Sequence, residues 1–272
     1  MTNSEIKDRE NGHNTDMSTT AGKKFIKILP SVILLALIAL LAGLSFLPSV
    51  RKASSVAVSS EDRLDAEAVR VLGCSRAYVD GHDFSTVMRG AIKAKVLGVP
   101  YTQNVTGSRR VCGDEFSDVT ESVSAFIKAG IKRECVGGEL FAARGDYKDK
   151  AFVYGAPARL DREKYIATYG MPATGLVKYD LDNALVSAES LGKGKYRYVL
   201  DARRATKYSR NEVKTTVGGK SYPEYESVEF TLTFDGERAV KITVKEKFRV
   251  DKFGGTHCVA QFTETFEYPQ AA

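Results

Sequence analysis

From residue 84 onward, hydrophobic and polar positions alternate with a period of two. Phe84, Met88, Ile92, Ala94 and Val96 share one parity, as do Tyr101, Val105 and Val111, and then Val123, Ala125, Ile127, Ala129 and Ile131. Such alternation predicts strands with one covered face. The breaks at Gly98-Val99-Pro100, Gly113-Asp114 and Gly137-Gly138 predict turns between antiparallel neighbours. The signal is cleanest near the C-terminus. Val228, Phe230, Leu232 and Phe234 alternate strictly, Asp235-Gly236 turns, and Val240, Ile242, Val244, Phe248 and Val250 follow. Gly254-Gly255 then turns the chain into Cys258, Ala260, Phe262 and Phe266. Residues 184–191 and 195–201 flank Gly192-Lys193-Gly194 as another hairpin.

Three segments carry a helical period instead. Residues 60–72 place Leu64, Ala68, Val71 and Leu72 on one stripe, with Ser60 as N-cap and Gly73 as stop. Residues 161–169 are capped by Asp161 and stopped by Gly170 and Pro172. Asp201 caps a third helix reaching to about residue 216. The segments 122–144 and 239–266 share a plan of strand, glycine pair and strand. That plan suggests a duplicated half; any two hairpins could also look alike.

One stretch fits neither period. Residues 28–50 hold no charged residue, and Lys27 and Arg51 close the ends. As a helix this run reaches about 34 Å, enough to cross a hydrocarbon core of about 30 Å. A polar leader precedes it, it is longer than a signal-peptide core, and no small-x-small cleavage site follows, so an uncleaved signal anchor is expected. Lys23, Lys24 and Lys27 against Arg51 and Lys52 favour a cytoplasmic N-terminus. The expected organisation is a disordered cytoplasmic tail (1–24), a single-pass transmembrane helix (25–50), a linker (51–60) and an extracytoplasmic β-rich domain (61–272). The expected location is the cell membrane, with the C-terminal domain outside the cytoplasm.

Composition changes this picture little. The 272 residues are 43% hydrophobic and 27% charged, which fits one anchored globular domain and excludes a multi-span transporter. A net charge of +6 is too mild for a nucleic-acid footprint but would draw the domain towards anionic headgroups or wall polymers.

The search for chemistry gives little. No Gly-x-Ser-x-Gly elbow, phosphate-binding Gly-Lys-Ser/Thr loop or His-Glu-x-x-His motif is present. Ser49-Val50-Arg51-Lys52 fits a Ser-x-x-Lys pattern by chance, at the membrane exit. Asp180-Leu181-Asp182 offers a carboxylate pair that a strand end or helix cap explains as well. No metal and no cofactor is expected. Cys74, Cys112, Cys135 and Cys258 lack zinc spacing, and outside the cytoplasm an even count favours disulfides. The expected pairs are Cys74 with Cys112 and Cys135 with Cys258, against four free thiols. His257 beside Cys258, or His82, raises a sortase-like cysteine transpeptidase, although neighbours on a strand point to opposite faces.

More telling are polar residues in phase with the apolar faces. Gln103 and Arg109 keep step with Tyr101, Val105 and Val111; Arg133 keeps step with Ile127 and Ile131. Glu246 keeps step with Val244 and Phe248, and Glu264 with Phe262 and Phe266. A turn centred on Gly254-Gly255 would set Glu246 and Glu264 opposite or diagonal. Such residues pair with one another, line a wetted cavity, or mark strand ends in solvent.

One-sided strands in two hairpin-built halves, with helices from the connections, resemble the lipoprotein-carrier (LolA-like) half-barrels. The run Tyr179-Asp180-Leu181-Asp182-Asn183-Ala184-Leu185-Val186-Ser187-Ala188-Glu189, then Tyr222-Pro223-Glu224-Tyr225-Glu226-Ser227-Val228 and Thr263-Glu264-Thr265-Phe266, is similar to uncharacterised envelope proteins of Gram-positive bacteria. The resemblance implies an α+β fold, a curved antiparallel sheet holding acyl chains in an apolar hollow, and carries over no diagnostic binding residue. The leading expectation is thus a membrane-anchored binding or interaction protein. Its concave sheet would take a lipid, an apolar ligand or a segment of an envelope partner, with Gln103, Arg109, Arg133, Glu246 and Glu264 in the hollow. A cysteine enzyme and a ligand-free structural module stand beside it.

Overall fold

The computed structural model describes residues 64–125, 127–217, 222–251 and 255–269. The tail, transmembrane segment and linker expected over residues 1–60 lie outside them. Among the described residues no helix is long and apolar enough to cross a membrane.

The chain begins with helix α1 (Ala66–Gly81) and a meander of strands: β1 (Phe84–Val96), β2 (Val99–Cys112), β3 (Glu115–Val123), β4 (Lys128–Val136) and β5 (Glu139–Lys148). Short strands β6 (Ala151–Tyr154) and β7 (Ala158–Leu160) lead into α2 (Arg162–Tyr169). A second meander holds β8 (Leu185–Gly192), β9 (Lys195–Leu200), β10 (Glu224–Phe234), β11 (Ala239–Val250) and β12 (Thr256–Glu267). Helices α3 (Ala202–Ala205) and α4 (Ser209–Val217) stand between β9 and β10.

All pairings between these strands are antiparallel, in one open sheet ordered β6-β5-β4-β3-β2-β1-β12-β11-β10-β9-β8, with β7 also on β5. The class is α+β. The two meanders run in the same order and meet where β1 pairs with β12, from Ser85 opposite Glu267 to Ala94 opposite Cys258. Of the suspected copies, 239–266 holds β11 and nearly all of β12, whereas 122–144 takes in the end of β3, all of β4 and part of β5.

The alternation works as the sequence implies on most strands, but the run 123–131 is split between β3 and β4 by a turn in which the Ser124 N–H donates to the Ile127 carbonyl at 2.8 Å, and Ser122 rather than Val123 is buried. On β10, Val228, Phe230 and Leu232 are fully buried while Glu229, Thr231 and Thr233 reach the other face. Covering a Phe or Leu side chain contributes about 1.5–3 kcal/mol, so a sheet with one such parity per strand has a strong preferred inner face. α1 lies across the β8–β9 side of that face. Its stripe of Ala68, Val71, Leu72, Ser75 and Val79 is buried, and Tyr198 Oη donates to the Ala68 carbonyl at 2.8 Å.

Two helix boundaries differ from expectation. α1 starts later and runs through Gly73, because Asp65 is the N-cap, its Oδ1 accepting the Ala68 N–H at 2.8 Å. Ser75 and Val79 extend the buried stripe beyond that glycine, so packing carries the helix over it. The single helix expected after Asp201 is two. Thr206 turns its N–H and hydroxyl back onto the Ala202 carbonyl, and residues 206–208 form a turn before α4. α2 forms as expected, with Asp161 Oδ1 accepting the Lys164 N–H at 2.7 Å and Gly170 at φ 85° ending it.

Residues 170–184 and α4 cover the middle of the inner face. Ala173, Leu176 and Leu181 of this connection are buried, and Asn211 of α4 donates to the Ile166 carbonyl of α2 at 2.9 Å. Beneath them Gly90 of β1 brings the backbone close to Phe262. A Cβ there would stand 2.2 Å from the Gln261 carbonyl oxygen and 2.5 Å from the Phe262 ring.

Candidate functional site

Register places a polar row across the inner face. Thr86 of β1 lies opposite Arg109 of β2, Arg109 opposite Asp118 of β3, and Asp118 opposite Arg133 of β4. Plus, minus and plus thus stand side by side on three adjacent strands, each nearly inaccessible to solvent. Burying charges costs several kcal/mol each unless they are paired and hydrogen-bonded. Here they are. Arg133 binds Asp118 through Nη2 and Glu212 of α4 through Nη1 at 2.9 Å, while Nη1 also reaches the Tyr169 carbonyl at 3.2 Å. Lys178 Nζ reaches Asp118 Oδ1 at 3.1 Å. Burial alone would raise the Asp118 carboxyl, but Arg133, Lys178 and Arg109 outweigh it and hold the group down at about 2.

Arg109 anchors the other side of the row. Its Nε donates to Glu264 Oε1 at 2.8 Å, and Nη1 donates to the carbonyls of Ala173 at 3.2 Å and Gly175 at 2.6 Å. Its guanidinium sits 5.2 Å from the Phe84 ring centre and 5.6 Å from that of Phe266. Thr86 Oγ1 donates to the same Glu264 oxygen at 2.6 Å. Both arginines therefore tie the connection 170–184 and α4 down onto the sheet.

Next to this row lies a cavity of about 160 Å³ between the sheet and α4. Met88, Ile92, Val105, Val177, Val213, Val244, Phe248 and Phe262 supply its apolar wall, and Gln103, Thr120, Ser122, Glu246 and Glu264 stand among them. Gln103 Nε2 donates to the Ser122 hydroxyl. Glu246 is 6% exposed and accepts the Tyr179 hydroxyl at 2.5 Å. Burial raises its carboxyl to about 7; the Tyr179 bond pulls it down and the neighbouring Glu212 charge pushes it further up. The volume is near that of a benzene-sized apolar cavity and below the roughly 300 Å³ at which ordinary ligand pockets begin. It would hold a small group or the end of a chain.

The sequence-predicted residues thus fall together on the inner face. Gln103, Glu246 and Glu264 line the cavity, whereas Arg109 and Arg133 stand behind it, holding Glu264 and Glu212. One relation is corrected: Glu246 and Glu264 are neither opposite nor diagonal. Val250 pairs with Thr256, so Glu246 faces Ala260 and Glu264 faces Ile242. The two residues lie four positions apart along the strands, a backbone offset of about 13 Å. Asp118, Lys178, Glu212, Tyr179 and Tyr225 were not singled out by the sequence. Asp118 had a signal, since it keeps step with Phe116, Thr120 and Ser122; Lys178, Tyr179 and Glu212 come from loop and helix packing, and Tyr225 of β10 pairs with Phe248 only because the register shifts between Tyr225 and Ser227.

The expected disulfides are not formed, and all four cysteines are free. Cys135 on β4 and Cys258 on β12 have three strands between them, about 19 Å at ordinary strand spacing, beyond any S–S bond. Cys74 lies exposed on α1, and Cys112 Sγ donates to Asp83 Oδ2 at 3.0 Å. Among the described residues no histidine pairs with Cys258. His257 is on the outer face against Glu226 at 2.8 Å, while His82 stacks on Tyr78 just before Phe84, about 33 Å along β1 from the partner of Cys258. Burial pushes the Cys258 thiol up to about 11, away from a nucleophilic thiolate. Asp182 pairs with Arg76 at 2.8 Å.

Comparison with solved structures gives faint likenesses, among them the following two. A DUF1329 family protein from Desulfovibrio piger matches at 11% identity and TM-score 0.32, over 75% of this chain and 91% of that one. A LolA superfamily protein from Nitrosomonas europaea matches at 11% identity and TM-score 0.30, over 75% of this chain and 94% of that one. No protein-family model and no curated protein matches. The weak LolA-like resemblance reappears among structural neighbours, at a level that says nothing of ligand or activity.

A second hollow of about 1000 Å³ opens where α1 ends, beside the β2–β3 and β4–β5 turns. Its lining includes Asp80, Asp83, Asp114, Asp161, Arg162 and the Arg159–Glu139 pair at 2.6 Å. It is a wide polar cleft and takes in none of the in-phase residues.

Proposed function

We propose that this chain is a membrane-anchored, outward-facing binding protein whose covered sheet face receives an apolar ligand or a segment of a lipid. The observation that carries the binding reading is the apolar cavity beneath α4, with three of the in-phase polar residues in its wall. Against a purely structural role stands the composition of that wall. A core built only for stability gains nothing from a lone carboxyl such as Glu246, whose burial is unfavourable.

The anchor and outward orientation rest on the uncharged run at residues 28–50 and its flanking lysines. Alkaline carbonate washing of membranes tests the anchor; release of the chain into the wash would remove it. For the ligand, the full chain is purified and its extractable apolar compounds are compared with those of Val244→Trp, which fills the cavity. Compounds enriched on the wild type and lost from the variant are the expected result. Equal amounts on both would favour the ligand-free module.

A further inference from the structure

The cavity's charges are uneven. Three carboxylates, Glu212, Glu246 and Glu264, line it against one cation, Lys178. Arg133 holds Glu212 at 2.9 Å, Arg109 holds Glu264 at 2.8 Å, and Lys178 is taken by Asp118 at 3.1 Å. Those six charges cancel. Glu246 is left over: it has no cation within ion-pair distance among the described residues, and a tyrosine hydroxyl is its bonded partner. Around it stand the rings of Tyr179, Tyr225, Phe248 and Phe262, with Tyr225 and Phe248 centred 5.2 Å apart. Two hydroxyl oxygens in the same wall, Thr120 Oγ1 and Ser209 Oγ, are buried and have no hydrogen-bond partner among the described residues.

We infer that the cavity selects a small organic ammonium compound with an apolar body and rejects carboxylates. The inference rests on the apolar-ligand reading above and sharpens it. An ammonium supplies the cation that Glu246 lacks and is attracted by the aromatic faces around that carboxylate. A carboxylate ligand would bring a second negative charge beside the one that is left without a cation, and a purely hydrocarbon ligand would leave Glu246 without a counter-charge.

The test uses the full chain in phosphatidylglycerol nanodiscs, whose headgroup carries no amine, with methyl-13C methionine. The chain has four methionines. Met88 lines the cavity, and Met171 is exposed and serves as the control. Benzylammonium, benzyl alcohol and benzoate are titrated while the Met88 methyl signal is followed; their ring suits a cavity of about benzene size. Benzylammonium should bind about tenfold tighter than benzyl alcohol, and benzoate should not bind. In Glu246→Gln, which sees the same surface concentration of amine, the ammonium preference should vanish while the alcohol still binds. Binding of benzoate as tight as that of the amine, or a preference that survives the substitution, would overturn the inference. If benzyl alcohol moves Met88 with no ammonium preference, only this inference fails; if neither compound moves Met88, the apolar-ligand reading fails with it.

Discussion

Replacing Glu246 by Gln should make the protein more stable at alkaline pH and leave it nearly unchanged at acid pH. The unfolded carboxyl titrates at 4.5 and the folded one at about 7. Between these values the folded chain keeps a proton that the unfolded chain has lost, so stability falls as pH rises through the window. Above it the full cost applies: about 2.5 pH units at 1.36 kcal/mol each, or roughly 3 kcal/mol. Gln has nearly the same shape, its Oε1 can accept the Tyr179 hydroxyl, and it does not titrate. Urea unfolding of the full chain in nonionic micelles at pH 5 and pH 8 reads the difference. The wild type should lose about 2.5 kcal/mol between the two, since a part is already lost at pH 5, a midpoint shift of about 1 M at ordinary denaturant slopes, and the variant should lose none of it. Equal pH slopes in the two proteins would show that Glu246 ionises freely in the folded state, and the account of it as an unpaired buried group would be wrong.

Asp118→Asn should destabilise by about 3–5 kcal/mol at neutral pH, because Arg133 and Lys178 lose a buried counter-charge; urea midpoints of the two proteins check this. The same carboxyl, held at about 2 against an unfolded 3.8, contributes about 2 kcal/mol above pH 4 that is lost as pH falls through 2, and the Asn variant should lack that acid loss. Iodoacetamide on the native, unreduced full chain should label Cys74 and the exposed Cys112, the latter more slowly because Asp83 raises its thiol, and leave Cys135 and Cys258 until denaturant is added. Peptide mass spectrometry reads this, and rapid native labelling of Cys258 would restore the cysteine-enzyme reading.

How far the sequence carried follows from which interactions are local. Strand alternation is a property of neighbouring residues, so β1, β10, β11 and β12 were legible almost to their ends. The inward direction of Gln103, Arg109, Arg133, Glu246 and Glu264 followed from the same parity. Register across the β11–β12 turn was not legible, because the glycine pair marks the loop and not its centre. The pairing of Val250 with Thr256 instead brings Phe248 opposite Cys258 and Val244 opposite Phe262. Nor was the partner set. Asp118 sits on a strand of Ser, Thr, Asp and Glu whose apolar positions are sparse, and Lys178 and Glu212 reach the site only once the connection and α4 fold over the sheet. The start of α1 was misplaced because Ser60 and Asp65 are both good caps, and the buried stripe extending to Val79 favours the later one.

The pairing of β1 with β12 also bears on how the molecule comes to be made. The strand completed last belongs at the centre, so every other strand of both meanders can be laid down while the seam is still open. Until then β1 and β11 each present an unpaired edge, and closing the seam joins residues some 160 to 180 positions apart. Contacts of that separation form slowly, because the loop-closure entropy must be met before they gain anything. A chain stopped just before Thr256 would be two half-sheets with exposed edges, and joining them waits on the twelve residues of β12.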